Sequence, residues 1–224
     1  MSCAELRGAR CELILLLDSS DAETISAAQM YSSTAKVEHF KVGDLGKARN
    51  FGVCRAAGRY CAFLDGDDLF GESWLWKAFS EAESDSSRDL IVHPKTNMFF
   101  GRGYNPYYWS HPDMRVDRFA ISRLLVENLW TSLCFAKRTV FLKTPYLENR
   151  ISDGFGYEDW SWNVRTIAGG FLHVVASDSI HFIRRKPFGS LLKNSAQERV
   201  IPDFLDAGLR KLLLEKSLEE AATF

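Results

Sequence analysis

Three carboxylates stand together directly after a short apolar segment of the chain. The segment Tyr60–Leu64 is followed at once by Asp65, Asp67 and Asp68. Carboxylates this close raise one another's pKa unless a cation offsets their charge. Mg²⁺ and Mn²⁺ prefer oxygen ligands and are commonly bound by one or two carboxylates together with substrate phosphates. The cluster therefore indicates a site for a metal-bound diphosphate; the alternative is a solvated turn, because Asp and Gly are ordinary turn residues.

Two further groups of polar residues have types that suit the same chemistry. Glu158 and Asp159 follow a glycine-bearing loop and begin a predicted helix, and His181 is followed by the three cations of Arg184–Lys186. An imidazole ligand and a run of cations are suited to binding phosphates. Each group also has a structural alternative: helix caps for the acids, a core position for the histidine and a solvated face for the cations.

The elements that must position these residues alternate between strands and helices. Such alternation favours an α/β fold with a largely parallel sheet, whose ligands gather at the carboxyl ends of the strands. The apolar patterns predict strands at Cys11–Leu17, Val37–Lys41, Tyr60–Leu64, Leu90–His93, Ser132–Ala136, Phe171–Ala176 and Ser179–Ile183. They predict helices at Glu23–Tyr31, Lys47–Ala57, Ser73–Ala82, Val116–Leu129 and Glu158–Ala168, and a helical tail over about 195–224 with its helix at Pro202–Ala222.

The composition limits the classes of protein to which the chain can belong. A length of 224 residues suits a single domain over residues 1–224, and a net charge of −1 lacks the basic footprint of a nucleic-acid partner. The longest aliphatic run, Leu13–Leu17, is far shorter than the roughly 20 residues of a membrane-spanning helix, and Met1–Arg10 has no apolar signal-peptide region. Five scattered cysteines without a metal-binding spacing indicate free thiols and a cytoplasmic location.

The ordered set of motifs resembles the family 2 glycosyltransferases of the GT-A fold. The matching stretches are Glu12–Asp18, Gly46–Gly52, Ala57–Tyr60, Phe63–Asp68, Gly156–Trp160 and His181. The resemblance covers about residues 11–186 and implies a Rossmann-like α/β fold with a mixed, mainly parallel sheet flanked by helices. It also implies an inverting, metal-dependent transferase of the hexosyltransferase type, which moves a sugar from a nucleotide-diphosphate donor, foremost a UDP-sugar, to an acceptor hydroxyl.

The resemblance implies that several residues bind the donor nucleotide and its phosphates. Asp18, at the end of its strand, corresponds to the acid that contacts the nucleotide base. Arg49 and Asn50 correspond to a helix start that faces the nucleotide and its phosphates, and Arg184 and Lys186 are placed to reach the leaving phosphates. A nucleoside diphosphate leaves readily only when metal and cations meet its growing negative charge.

The resemblance implies that two acidic residues and one histidine bind the metal, and that another acidic residue takes the proton of the acceptor. Asp65 and Asp67 hold the donor through Mn²⁺ or Mg²⁺, and His181 corresponds to a later metal or diphosphate ligand. Asp159 corresponds to the general base, with Glu158 beside it as the second candidate. An acceptor hydroxyl is a weak nucleophile, and a carboxylate that takes its proton contributes typically about 10²–10⁴-fold to the rate.

The stretch Asn97–Pro112 interrupts the alternation of strands and helices. Glycines and prolines punctuate it, and aromatic residues crowd it between Tyr104 and Trp109, which is typical of a functional loop. With Trp130 and Trp160 these rings would suit a stacking platform for a sugar acceptor. Packing of the loop against the sheet is the equal alternative.

The chain departs from the family at its start. The family has a first strand that ends in a short polar-aromatic motif, whereas here only Met1–Arg10 precede the strand that begins at Cys11. We therefore expect the chain to be truncated relative to the family, with an exposed hydrophobic edge and weaker contacts to the base. A gene fragment and a reading frame that begins upstream of Met1 both account for this.

Three functions stay open at this point. The first is an inverting glycosyltransferase that acts on a glycan or lipid-linked acceptor in cell-surface polysaccharide assembly. The second is an inactive remnant or non-catalytic module that binds sugar or nucleotide, and the third is a nucleotidyltransferase, for which the sequence lacks a glycine-rich phosphate loop. The segment Leu209–Leu214 would allow peripheral association with the inner face of a membrane, and it suits a packed helix equally well.

Overall fold

A mixed six-stranded sheet forms the centre of the protein. The computed structural model describes residues 10–85, 87–117, 121–186 and 198–203. The sheet has the order β3 (Tyr60–Ala62), β7 (Phe135–Lys137), β5 (Leu90–Phe100), β9 (Leu172–Arg184) and β4 (Leu69–Phe70), and β6 (Tyr107–Ser110) also pairs with β5.

Two small sheets and five helices complete the described part of the chain. The strands β1 (Ile14–Asp18) and β2 (Lys36–Phe40) form one parallel pair, and β8 (Phe155–Gly156) and β10 (Ile201–Pro202) form another. The helices are α1 (Ala22–Gln29), α2 (Leu45–Arg55), α3 (Trp74–Ser84), α4 (Arg138–Lys143) and α5 (Glu158–Ala168). None of these helices is long and apolar enough to cross a membrane.

Helices cover both faces of the central sheet. Successive residues of a strand point to opposite faces, and the two largest core clusters divide β5 accordingly. Leu90 and Val92 pack with α3, whose Trp74 is fully buried, whereas Ile91 packs on the other side with α2, α4 and α5, whose Trp162 is 1% exposed. The side that carries α2 and α5 is the one on which the two acidic clusters of the sequence meet.

The predicted mixed α/β architecture is confirmed, but the expectation of a mainly parallel sheet is wrong for the central sheet. Within it, β5 and β9 run parallel, and the other described pairings are antiparallel. A parallel pairing needs a long crossover, whereas β6 returns from β5 after a short connection and can only pair antiparallel. The predicted loop Asn97–Pro112 is therefore the end of β5 and its hairpin with β6.

Three predicted elements differ from the structure. Among its described residues, Val116–Leu129 contains only a 3₁₀ turn at Ile121–Leu125, because the apolar spacing that suggested a helix included the exposed Val126. The predicted strand pair after Phe171 is the single long strand β9. Of the predicted helix Pro202–Ala222, Pro202 belongs to β10, and the residues after Asp203 lie outside the described part of the chain, as does most of the tail over 195–224.

The first two strands are separate from the central sheet. No described strand pairs with the second edge of β1, and α2 bridges the two sheets, since Gly52 lies against Leu16 of β1 while Val53 belongs to the core of the central sheet. The truncation relative to the family stays a prediction. Cys54, Cys61 and Cys134 are free thiols, and Cys3 lies outside the described residues.

Candidate active site

The acidic turn follows β3 and gives each of its three carboxylates a different environment. The backbone amide of Asp68 donates to the carbonyl of Asp65 at 3.0 Å and closes the turn. Asp68 is buried, and its Oδ1 accepts the backbone N–H of Arg184 at 2.7 Å. Burial raises the pKa of Asp68 to about 7. The hydrogen bond from Arg184 acts to lower this pKa, and the negative charges of Asp65 and Asp67 act to raise it.

Each of the other two carboxylates of the turn forms an ion pair with a cation. Oδ2 of Asp67 lies 2.7 Å from Nζ of Lys186, and Oδ1 of Asp65 lies 3.3 Å from Nη2 of Arg49. The Asp67 and Asp65 side chains keep 26% and 36% of their surface exposed, so solvent and ligands can reach both. The cationic segment after β9 and helix α2 therefore meet at the acidic turn.

A buried arginine joins the acidic turn to the start of α5. The Arg49 side chain is 4% exposed, and its Nη1 donates to Oε1 of Glu158 at 2.7 Å. Burial acts to lower the pKa of Arg49, but the charges of Asp65 and Glu158 outweigh it and raise the pKa above its usual range. Oε2 of Glu158 accepts from the side-chain amide of Asn149 at 3.1 Å. Both oxygens of Glu158 are thus engaged inside the protein.

Asp159 accepts from a neutral asparagine, whereas Glu158 pairs with the Arg49 cation as well as with an asparagine. Its Oδ2 accepts from the side-chain amide of Asn128 at 3.1 Å, and its side chain is partly exposed. Burial first, and the neighbouring charge of Glu158 second, raise the pKa of Asp159 to about 7, while Arg49 acts in the opposite direction. A carboxylate with a pKa near the working pH is suited to proton transfer.

The residue before this acidic pair has an unfavourable backbone conformation. Tyr157 caps α5 with φ 56° and ψ 58°, in the left-handed region that bulky residues rarely adopt. Such a conformation costs about 1–3 kcal/mol and occurs most often at functional sites. The strain therefore lies directly at the start of α5, where it sets the direction in which Glu158 and Asp159 leave the loop.

Asn50 and Asp18 brace loops next to the site. Asn50 bonds the backbone of Tyr146 twice, as donor to its carbonyl at 2.8 Å and as acceptor from its N–H at 2.9 Å. Asp18 accepts the backbone N–H groups of Val42 and Gly43 at 2.8–3.0 Å. Burial acts to raise the pKa of Asp18, but these hydrogen bonds outweigh it and hold the pKa below its usual value. The nucleotide-binding roles implied for both residues stay predictions.

The structure does not bring His181 into the ion pairs of the acidic turn. Its ring is fully buried, with the Phe70 ring 4.9 Å and the Trp74 ring 4.5 Å away between centroids. Neither ring nitrogen has a hydrogen-bond partner among the described residues, and burial lowers the pKa of His181 to about 3. Its role as a ligand stays a prediction, as do those of Arg184 and Lys186 toward phosphates.

A cavity of about 650 Å³ opens beside the acidic turn. Its lining combines acidic, cationic and backbone groups: Gly66, Asp67, Asp68, Leu69, Phe100, Gly101, Arg102 and Arg184. Gly101 is needed at its rim, because a Cβ there would lie 2.3 Å from the carbonyl oxygen of Arg185. The size and the two guanidinium groups suit a phosphorylated ligand.

The acidic turn fits a divalent metal only when a ligand completes the coordination. Asp65 and Asp67 supply the oxygen donors that Mg²⁺ and Mn²⁺ prefer. Within the described ranges, no group of three His, Cys, Asp or Glu side chains is arranged to hold a metal ion. Mg²⁺ usually keeps several waters and binds through one or two carboxylates plus substrate phosphates, and the two partly exposed carboxylates fit that pattern.

The expected aromatic platform divides into core and surface residues. Trp130 is fully buried, as the packing alternative predicts, and its indole N–H donates to the carbonyl of Pro112 at 2.9 Å. In the hairpin, Tyr107 stacks on Phe99 with 4.6 Å between ring centroids and stays 44% exposed, and Tyr108 is 67% exposed. Among the described rings of the expected platform, the two hairpin tyrosines keep exposed surface, and Arg185 lies 5.7 Å from the centre of the Tyr107 ring.

Sequence reasoning missed the asparagines that hold the acidic pair. Asn149 links Glu158 to Asp44, the N-cap of α2, through bonds of 3.1 Å and 2.9 Å, and Asn128 holds Asp159. Both asparagines belong to irregular segments without a motif, and no spacing rule relates residues so distant in the chain. Only the two acids themselves carried a signal.

Comparisons with known proteins show the family and the fold of the chain. The family model described as Glycosyl transferase family 2 matches residues 2–147, and the comparison with curated proteins found no match. The crystal structure of S. aureus TarS 1–349 in complex with UDP-GlcNAc superimposes with a TM-score of 0.60 at 16% identity, over 95% of this chain and 64% of that chain. The crystal structure of GalNAc-T7 with UDP, GalNAc and Mn²⁺ does so with a TM-score of 0.59 at 15% identity, over 88% and 42%.

These likenesses establish the fold. Both structures are GT-A glycosyltransferases, so the predicted GT-A architecture is confirmed. The chain spans less than two thirds of the length of each of them.

Proposed function

The chain belongs to glycosyl transferase family 2, and we propose that it transfers a sugar from a UDP-sugar donor to an acceptor hydroxyl. One observation carries the proposal: Arg49 pairs both with Asp65, in the turn after β3, and with Glu158, at the start of α5 beside Asp159. An acidic turn suited to a metal-bound diphosphate and a carboxylate suited to proton transfer therefore belong to one site. The UDP bound in the TarS and GalNAc-T7 structures supports the choice of nucleotide.

The donor side of the site consists of the acidic turn and the cations around it. Asp65 and Asp67 would hold Mn²⁺ or Mg²⁺ with the donor diphosphate, and the ion, when bound, offsets the negative charge that develops on the leaving group. Arg184 and Lys186 lie on the same side, since one binds Asp68 through its backbone and the other pairs with Asp67. Their positive charges would stabilise the departing UDP.

The acceptor side is the start of α5, where Asp159 is the better candidate for the base. Glu158 is 5% exposed and has both carboxylate oxygens engaged, whereas Asp159 is partly exposed and has a raised pKa. Asp159 would take the proton of the acceptor hydroxyl as the oxygen attacks the anomeric carbon. Attack from the face opposite the diphosphate gives inversion of configuration.

The nature of the acceptor follows from the family alone. We propose a glycan or lipid-linked acceptor in cell-surface polysaccharide assembly, and a cytoplasmic enzyme that reaches such acceptors at the inner face of the membrane. The exposed rings of Tyr107 and Tyr108 support a sugar-containing acceptor, because sugars stack on aromatic faces through their C–H groups.

A second candidate function is a nucleotide-binding module without transferase activity. It is favoured by the position of β1, which lies outside the central sheet, and by Asp18, whose carboxylate is engaged with the backbone of Val42 and Gly43. A base contact would have to compete with those hydrogen bonds.

Replacement of the base tests the proposal. UDP release would be measured with UDP-glucose, UDP-galactose, UDP-GlcNAc and UDP-GalNAc, Mn²⁺ and water as the acceptor, and UDP binding by calorimetry. We expect Asp159→Asn to bind UDP as the parent does and to release it about 10²–10⁴-fold more slowly from the donor that the parent hydrolyses. Asp153→Asn, an exposed acid before α5, is the matched control and should leave the rate unchanged.

The outcomes separate the two candidates. An equal rate in Asp159→Asn would contradict the role of Asp159 as the base. A parent protein that binds UDP with Mn²⁺ and hydrolyses none of the four donors would favour the non-catalytic module.

A further inference from the structure

One buried arginine contacts both acidic halves of the site. Nη1 of Arg49 lies 2.7 Å from Glu158 and Nη2 lies 3.3 Å from Asp65. We propose that Arg49 is a positioning residue, which fixes the metal-binding carboxylate of Asp65 and the carboxylate pair of α5 relative to each other. The inference rests on the proposed function, because Asp65 and Asp159 receive their roles there.

The geometry requires an arginine. A planar guanidinium presents two separate N–H groups in a rigid fork and can bind two carboxylates at once, whereas the ammonium of lysine is a point charge. Asp65 lies in the turn after β3 and Glu158 begins α5, and Arg49 reaches both from α2. Three elements that are distant in the chain are thus held by one side chain.

Burial makes the connection stiff. The side chains of Arg49 and Glu158 are 4% and 5% exposed, so water cannot substitute for either partner. The guanidinium also lies 5.4 Å from the centre of the Tyr146 ring, and Asn50 fixes the backbone of Tyr146 with two hydrogen bonds. Removal of one member of a buried ion pair leaves an uncompensated charge, which is strongly unfavourable.

The same observations argue against a direct contact between Arg49 and a phosphate. Both of its terminal nitrogens already donate to carboxylates, and the side chain has almost no exposed surface. Lys186 and Arg184, near the cavity, are better placed for phosphates. Arg49 would therefore act on the donor only through Asp65, and on the acceptor only through Glu158 and its neighbour Asp159.

The test compares two arginines of the same helix. Arg49→Met removes the buried charge, Arg49→Lys keeps a charge that cannot bridge both carboxylates, and Arg55→Met is the control, because Arg55 pairs with Glu38 on the surface. Each variant would be labelled with ¹³C at its Asp and Glu side-chain carboxyls and titrated by NMR. The signals of the α5 pair would be assigned by their loss in Glu158→Gln and Asp159→Asn.

We expect Arg49→Met to raise the pH at which the α5 pair loses its last proton by about 1–3 pH units, because a nearby opposite charge favours ionisation. Arg55→Met should leave that pH unchanged. Mn²⁺-dependent UDP binding should weaken by about 10–100-fold in both Arg49 variants, as is usual when the partner that orients a metal ligand is lost.

Several results would overturn the inference. A folded Arg49→Met protein with an unmoved titration of the α5 pair, or with unchanged UDP affinity, would contradict it. If Arg49→Met does not fold, Glu158→Gln replaces it: unchanged UDP affinity in that variant would contradict the connection to Asp65. A parent protein that binds no nucleotide would refute the proposed function. The titration needs no donor, so it would still test whether Arg49 interacts with the α5 pair.

Discussion

At the scale of single residues, the negative charge of each acid in the turn is compensated in a different way. The three acids of the turn have three different partners: Arg49 for Asp65, Lys186 for Asp67 and a backbone N–H for Asp68. Lys186 and Arg184 lie more than a hundred positions after the turn, and no spacing rule connects them with it or connects Asp65 with Arg49, 16 positions before it. The residue types of the site were therefore predictable, whereas the pairing that makes it one site was not.

His181 allows a prediction about stability. A buried polar group without a partner costs about 1–3 kcal/mol, and both ring nitrogens of His181 lack one among the described residues. We expect His181→Leu to raise the unfolding free energy of the ligand-free protein by about that amount at pH 7, measured by urea denaturation. Lower stability would show that the imidazole has stabilising contacts, and a loss of Mn²⁺-dependent UDP binding in the variant would support its role as a ligand.

At the scale of elements, helix α2 carries the site because its two ends dock on different partners. Its N-terminus packs against the loop after α4, and its C-terminal half packs against β1. The sequence predicted α2 to within a few residues from its roughly helical apolar spacing and from Gly58, and it predicted α5, whose apolar periodicity is strong, with the same bounds as the structure. The hairpin of β5 and β6 escaped prediction, because glycines and prolines mark a turn without revealing that strands flank it.

Two glycines of α2 give a matched pair of substitutions. A Cβ on Gly46 would lie 2.3 Å from the backbone carbonyl of Leu147, whereas a Cβ on Gly52 would meet only the flexible end of Leu16, at 2.7 Å. Ala is favoured over Gly within a helix by about 1 kcal/mol. We expect Gly46→Ala nevertheless to lower the unfolding free energy by about 1–3 kcal/mol, because the loop backbone must move.

Gly52→Ala should cost clearly less than Gly46→Ala, because a leucine side chain can give way. Urea denaturation of both variants tests the difference. A Gly46→Ala protein as stable as Gly52→Ala would show that the contact between α2 and the loop at Leu147 is not tight.

At the scale of the whole molecule, the interior holds an unusual set of neutral imidazoles. Nε2 of His93 lies 2.9 Å from Nδ1 of His173, and the ring of His111 is fixed between the carbonyl of Pro94 and the N–H of Thr131. Burial lowers the pKa of His111, His173 and His181 to about 3 and that of His93 well below its usual value. Composition gave no hint that most of the histidines would be in the core.

These histidines make stability depend on pH. Each binds a proton in the unfolded chain below about pH 6.5 but not in the folded protein, so its contribution is complete above that pH and is lost as the pH falls. Asp68 and Asp159, with a pKa of about 7, act in the opposite direction, because the folded protein keeps their protons at pH values where the unfolded chain releases them. Between about pH 6 and pH 5, the four histidines therefore lower the unfolding free energy as the pH falls, and the two aspartates offset about half of that loss.

We expect the unfolding free energy to fall by up to about 2.7 kcal/mol for each pH unit in that window. Urea denaturation at pH 7.5, 6.0 and 5.0 measures the slope. His181→Leu should reduce it by about 1.4 kcal/mol per pH unit. A stability that is flat between pH 6 and pH 5 would contradict the buried, neutral state of these histidines.

The central claim is that the acidic turn binds a nucleotide diphosphate through a divalent metal. Calorimetric titration of UDP into the protein, with and without Mn²⁺, tests it most directly, with Asp67→Asn as the variant and Asp178→Asn, an almost fully exposed acid, as the control. We predict binding that requires Mn²⁺, that persists in Asp178→Asn and that is lost in a folded Asp67→Asn protein. UDP that binds equally well without Mn²⁺, or equally well to Asp67→Asn, would contradict the assignment of this turn as the donor site.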